Sequence, residues 1–157
     1  MSAGTGSAAT PLAAFDAALR DVGAGDVNLV RLSSVIPTGA TLVHTPTLIQ
    51  QPGWGDKLYC VYAEQHAENR GEQAAAGVGW VHKHDGSGAG LFVEHAGTTE
   101  DEVANQIHAS LESMTTGRGG GFTAPEMTLV SAQCTGDPLC VLVLASYAAE
   151  SWASWAS

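Results

Sequence analysis

Basic residues are scarce in this chain. Of its 157 residues only 6 are Lys or Arg, against 16 Asp or Glu, and the formal net charge is −10. Nucleic-acid binding depends on Lys and Arg neutralising phosphates, so that class is the first to fall. Cysteine is nearly as sparse. Cys60, Cys134 and Cys140 leave one thiol over under any disulfide scheme, which points to a reducing cytoplasm. Cys134 and Cys140 lack the second Cys/His pair that a zinc motif would need. Long apolar runs are missing too: the longest stretch, Leu139 to Ala149, is too short to cross a bilayer as a helix, and no membrane role is expected. The opening MSAGTGSAAT has neither a basic nor an apolar signal region, so no secretory leader is expected. The two lysines, Lys57 and Lys83, sit in Gly-rich and His-rich loops. Neither looks desolvated, as a Schiff-base lysine for pyridoxal phosphate would be.

What remains is enough for a folded domain. Hydrophobic residues make up 45% of the chain and charged ones 14%, a balance unlike that of disordered segments. Residues 1–10 are Gly, Ser, Ala and Thr with little else and read as a flexible N-terminal arm before a single domain over 11–157. Thr10 and Pro11 then make an N-cap and first helical position, Leu12, Phe15, Leu19 and Val22 follow at helical spacing, and Gly23 stops the helix. Strands are expected at 28–36, 41–45, 58–64, 74–82 and 90–95. A second helix opens on the Thr99/Glu102 capping pattern, carries Val103, Ile107, Leu111 and Met114 on one face, and ends at the GRGGG loop, 117–121. Strands at 127–133 and 139–148 close the chain. Short links between consecutive strands favour an α+β domain, mostly antiparallel sheet with helices packed on it.

Few residues stand out chemically. His82 and His84 share a strand face beside Asp85, but no third ligand follows at a defining spacing, so a solvated strand end is expected and no metal. The glycines of 86–90 read as a hairpin loop rather than a phosphate cradle. Most informative is the apolar run Asn28 to Pro37, NLVRLSSVIP, which holds Ser33 and Ser34 next to a turn. On the residues alone these hydroxyls could simply bond neighbouring backbone.

With this run in view, the chain resembles the pyruvoyl-dependent arginine decarboxylases. NLVRLSSVIP is the specific part; AFDAAL (14–19), GLFVEHAG (90–97), the following helix and Arg118-Gly119 occur in the right order. The resemblance implies an αββα sandwich that cuts itself between Ser33 and Ser34, giving a β chain 1–33 and an α chain 34–157. Ser34 would become a covalent pyruvoyl group, the cofactor for turning L-arginine into agmatine and carbon dioxide. It implies a homotrimer with active sites between subunits. One departure is visible, because family members carry an apolar strand before the first helix and MSAGTGSAAT has no such residues.

The resemblance also assigns roles. Asn28 would stabilise the oxyanion during processing, Glu94 would protonate the α-carbon, and Asp16 would receive the substrate's guanidinium. Each has a plainer reading: Glu94 as a solvated strand carboxylate, Asp16 as the i+4 partner of Arg20 on the helix surface. Two further functions stay open, a pyruvoyl decarboxylase for another amino acid and an unprocessed homologue acting as a binding or assembly module.

Overall fold

The computed structural model describes residues 1–152. Its elements in chain order are β1 (Ser2–Ser7), α1 (Pro11–Asp21), β2 (Asn28–Arg31), β3 (Val35–Ile36), β4 (Lys57–Ala67), β5 (Gln73–His82), β6 (Gly90–Gly97), α2 (Glu100–Thr116), β7 (Glu126–Gln133) and β8 (Leu139–Glu150). The strands form two four-stranded sheets, ordered β1-β8-β4-β2 and β3-β6-β5-β7. Every pairing is antiparallel except β2 with β4.

Period-two alternation explains the layering. On β8, Leu139, Val141, Val143 and Ala145 join Val61, Ala63, Ala76, Val78, Trp80 and Phe92 between the sheets. The intervening Cys140, Leu142 and Leu144 face the other way, onto Ala14, Ala18, Leu19 and Val22 at α1. Ala75 and Val81 of β5 likewise meet Val103, Ile107 and Leu111 of α2. Strands buried on both faces read as continuous apolar runs, and the stack is α1, sheet, sheet, α2. The expected αββα sandwich is the observed one. No helix among the described residues is long and apolar enough to cross a membrane.

Both helices start where the sequence places them. Thr10 Oγ1 accepts from the Ala13 N–H at 3.2 Å, and Thr99 Oγ1 accepts from the Glu102 N–H at 3.2 Å. Glu102 reaches back to the Thr98 N–H at 2.9 Å, and the bonds from Thr98 hold its carboxyl below the usual carboxylate range.

Three expectations need correcting. Residues 1–10 are not a free arm: Ser2–Ser7 forms the edge strand β1, paired along its length with β8 from Ser2–Leu144 to Ser7–Leu139. Hydropathy misses it because its inward positions are Ser2, Gly4 and Gly6. A Cβ on Gly6 would run into the α1 backbone at Ala14, Ala17 and Ala18, so glycine is what lets the helix lie directly on the strand. Residues 41–45 form no strand. They lie in a segment broken by Pro37, Gly39, Pro46 and Pro52, and are tied to the chain start by Thr45 N–H to Met1 O at 3.0 Å. Finally, 28–36 is not one strand but two, β2 and β3, in different sheets.

Docking of β1 makes a stability prediction. Gly6→Val should lose about 1–3 kcal/mol, the range for overpacking a close contact, while Thr5→Val on the exposed side of the same strand should be near neutral. Thermal unfolding followed by circular dichroism reads both. An unchanged melting temperature for Gly6→Val would mean that β1 does not support α1.

Candidate active site

The crossing from β2 to β3 takes only Leu32, Ser33 and Ser34. Both ends are held. The Leu32 N–H donates to the Cys60 carbonyl of β4 at 2.9 Å, and the Phe92 N–H of β6 donates to the Ser34 carbonyl at 2.8 Å. Between these anchors Ser34 adopts φ +67°, in the left-handed region, and it is the only non-glycine among the described residues to do so. For an L residue that conformation costs about 1–2 kcal/mol, and it persists where the surroundings over-determine it.

Ser34 Oγ donates to Glu94 Oε1 at 2.7 Å. Both side chains are half-buried, whereas Ser33 is exposed. Glu94 lies two residues beyond Phe92 on β6, so period two turns it to the same face, between the sheets. The sequence therefore brings together the two residues expected to carry the chemistry, a nucleophile and a carboxylate in hydrogen-bond contact.

Tyr147 was not anticipated. The β4–β8 register passes from Tyr59–Ala148 to Cys60–Ser146, leaving Tyr147 as the extra residue of a β-bulge. Bulges re-aim a side chain. Here the Tyr147 hydroxyl donates to the Val35 carbonyl at 3.2 Å, and its ring stands edge-on to Phe92 at 6.0 Å and 77°. Burial, with the nearby Glu94 charge adding to it, pushes the phenol up to about 12, so it is a neutral donor at physiological pH. A cavity of about 400 Å³ opens beside this group, lined among others by Ile36, Leu42, Phe92 and Tyr147. An aromatic residue near the end of a strand gives no signal of a bulge, so the sequence offered none.

The other candidates stand elsewhere. Asn28, at the opposite end of β2, donates its side-chain amide to the Gly55 carbonyl at 2.6 Å. Asp16, on α1, accepts from Arg20 Nε at 2.9 Å, and the pair is 54% and 62% exposed. That is the geometry of the plainer helix-surface reading, worth a few tenths of a kcal/mol, about 0.3–0.5. His82 closes β5 with Nδ1 against the Gly88 carbonyl at 3.0 Å, and the glycines at 86 and 88 turn the chain into β6, as a hairpin should.

The family model for pyruvoyl-dependent arginine decarboxylase matches residues 1–151. A relative of that name from Halobacterium salinarum is 42% identical over 105 residues, which cover 66% of this chain and 64% of that protein. The chain thus matches a little under two thirds of that relative's length. One from Pyrococcus abyssi is 36% identical over 138 residues, covering 86% of this chain and 83% of that protein. A solved pyruvoyl-dependent histidine decarboxylase aligns with a TM-score of 0.47 at 16% identity, covering 62% of this chain and 53% of that one. The family match takes in β1, the strand whose apolar counterpart the sequence lacked, and runs through both sheets to the end of β8. The chain belongs to the pyruvoyl-dependent arginine decarboxylase family.

Proposed function

We propose that this chain is a self-processing decarboxylase that converts L-arginine to agmatine and carbon dioxide, cut between Ser33 and Ser34. The observation that carries the reading is Ser34 itself, with a left-handed backbone, its hydroxyl on Glu94 and its carbonyl on the Phe92 N–H. These residues fit a pyruvoyl precursor. Glu94 would take the hydroxyl proton as Ser34 Oγ attacks the Ser33 carbonyl carbon; the Ser33–Ser34 C–N bond breaks and the freed nitrogen takes up the proton. β-Elimination then breaks the Cβ–Oγ bond and frees the Ser33 carboxylate, and water releases ammonia to leave the pyruvoyl group, with the strain at Ser34 released on cleavage.

The mature pyruvoyl group would supply a ketone for the substrate's amine and a sink for the charge left when carbon dioxide departs. The chain's own residues do the rest. The Phe92 N–H would hold the Ser34 carbonyl oxygen and stabilise negative charge there. Glu94 would carry a proton on its carboxyl and deliver it to the substrate's α-carbon. Tyr147 would fix the Val35 carbonyl and so the backbone that follows the cut.

Within one chain Asn28 stands at the end of β2 away from Ser34, bonded to Gly55, and Asp16 stands on the outer helix, bonded to Arg20, so at this site they would act from another protomer. A homotrimer with active sites between subunits meets that need: Asn28 would steady the oxyanion of the acyl shift, and Asp16 would exchange Arg20 for the substrate's guanidinium, a forked donor suited to a carboxylate. Free thiols at Cys60, Cys134 and Cys140 accord with a cytoplasmic setting.

Processing is tested first. Wild-type protein should run as two fragments, the larger of them blocked to Edman sequencing, and Ser34→Ala should stay one intact chain by mass. A wild-type chain of unbroken mass would leave the binding or assembly module as the reading.

Proton delivery is tested by Glu94→Gln, which keeps shape and loses the acid. In protein confirmed as processed by mass, kcat should fall roughly 10²–10⁴-fold, as for a lost general acid. Near-normal turnover would move the proton to another group. Because Glu94 also takes the hydroxyl proton in this reading, Glu94→Gln should cut itself more slowly than wild type, and turnover is compared per cut chain; cleavage at the wild-type rate would leave the acyl shift without a role for this carboxylate.

Substrate choice is tested by Asp16→Asn. Cleavage should be unaffected, while kcat/KM for arginine should drop by about 2–4 kcal/mol, the range for one partner of a desolvated charge pair. Carbon dioxide release from arginine, ornithine and lysine provides the measurement. Equal arginine turnover by both proteins would leave Asp16 as the partner of Arg20 alone.

A further inference from the structure

Three residues that the decarboxylation chemistry does not use meet on the helix-facing side of the first sheet. Glu64 and His66 are two apart on β4, so their side chains share a face. Cys140 on β8 stands directly across from His66 in the strand register. One carboxylate oxygen, one ring nitrogen and the thiol sulfur of this group all lie within 4.8 Å of one another. Cys140 is fully buried and packs in the layer under α1, on the opposite face of the sheet from Tyr147. The Phe15 ring of α1 lies 6.5 Å from the His66 ring.

Two polar atoms here are left without partners. Glu64 Oε2 and His66 Nδ1 are shielded from solvent and make no hydrogen bond. The thiol has only the Val141 carbonyl at 3.6 Å. Buried polar atoms are nearly always satisfied, so two orphans beside a thiol call for a missing partner, and a carboxylate oxygen, an imidazole nitrogen and a sulfur together offer it lone pairs. A cation meets that description.

We propose that Glu64, His66 and Cys140 bind one zinc ion, with a water as the fourth ligand. Thiolate and imidazole favour zinc over magnesium or calcium, and a single carboxylate is compatible with them. One thiolate and one carboxylate also cancel the charge of the ion, so the complex is neutral where a net charge would be costly to bury. Zinc binding breaks the S–H bond of Cys140, forms a Zn–S bond and releases one proton to solvent, with no change of oxidation state. The ion would pin β4 to β8 beneath α1, a structural role in the layer that holds the first helix.

The test uses the full, untagged chain, stripped with a chelator and dialysed. Zinc titrated by calorimetry should bind at one ion per chain and raise the melting temperature. Cobalt(II) in its place should give a thiolate-to-metal charge-transfer band in the near ultraviolet. Cys140→Ser should abolish the band and the thermal shift, and His66→Ala should weaken zinc binding by at least roughly 10–100-fold, since even loss of an outer-shell partner costs that much. His108→Ala, exposed on α2, should change neither. If Cys140→Ser does not fold, Glu64→Gln keeps the side chain's size and should weaken binding in the same way. No charge-transfer band in wild type, an unchanged band in Cys140→Ser, or undiminished affinity in Glu64→Gln would each overturn the proposal.

Discussion

The molecule depends on how the chain leaves one sheet and enters the other. Packed sheets lie about 10 Å apart, and three residues make the passage between β2 and β3. Two backbone hydrogen bonds, one to each sheet, fix the ends of that passage: Leu32 to Cys60 and Phe92 to Ser34. The left-handed turn at Ser34 follows from those anchors, since the chain has to change direction inside a span too short to relax. The same anchor that strains Ser34 also places its hydroxyl on Glu94, because Glu94 and Phe92 belong to one strand. Strain and the Ser34–Glu94 contact thus share a cause, the register of β3 on β6, which pairs Val35 with Leu91.

Around this crossing the layers are thin by design of composition. Glycine stands where each helix meets its sheet: Gly6 under α1 and Gly79 under α2, where a Cβ would collide with Ile107. Close approach of this kind gains dispersion contacts over a wide area, and it leaves few positions for long charged side chains. The low charged fraction of 14% is in part the consequence of strands such as β5, buried along nearly all of their length. Bulk in the core is carried between the sheets by Trp80 and Phe92, and Phe92 is the residue whose backbone holds Ser34.

Much of this was legible in the residues. Thr10-Pro11 and Thr99/Glu102 announced both helices because capping is local chemistry, and five strand segments showed in apolar runs. What failed did so for physical reasons. Periodicity reports that a residue alternates, not which sheet it joins, so 28–36 read as one strand when it is two. β1 was invisible because glycine replaces hydrophobic bulk where a helix backbone lies on it. Ser34 and Glu94 were found through their likeness to a family motif, and the fold puts them 2.7 Å apart. Tyr147 was missed since a bulge depends on the pairing of two strands, and the Glu64–His66–Cys140 group since it exists only through the β4–β8 register.

The division of candidate residues between layers bears on how such a protein would work. Ser34, Glu94, Phe92 and Tyr147 are brought together within one chain, around the gap between the sheets. Asp16 sits on the outer helix, half-exposed and neutralised by Arg20, and Asn28 is bound to the loop at Gly55. A carboxylate that already holds a guanidinium at 2.9 Å is matched in chemistry to an arginine substrate, yet it has to give up one guanidinium to take another. That exchange is nearly isoenergetic in open water, where such a pair contributes little. It becomes favourable only where a neighbouring surface desolvates Asp16 and excludes Arg20. In the proposed reading, recognition of substrate would therefore wait on assembly, while the strain at Ser34 and its hydroxyl–carboxylate contact are already complete in the single chain.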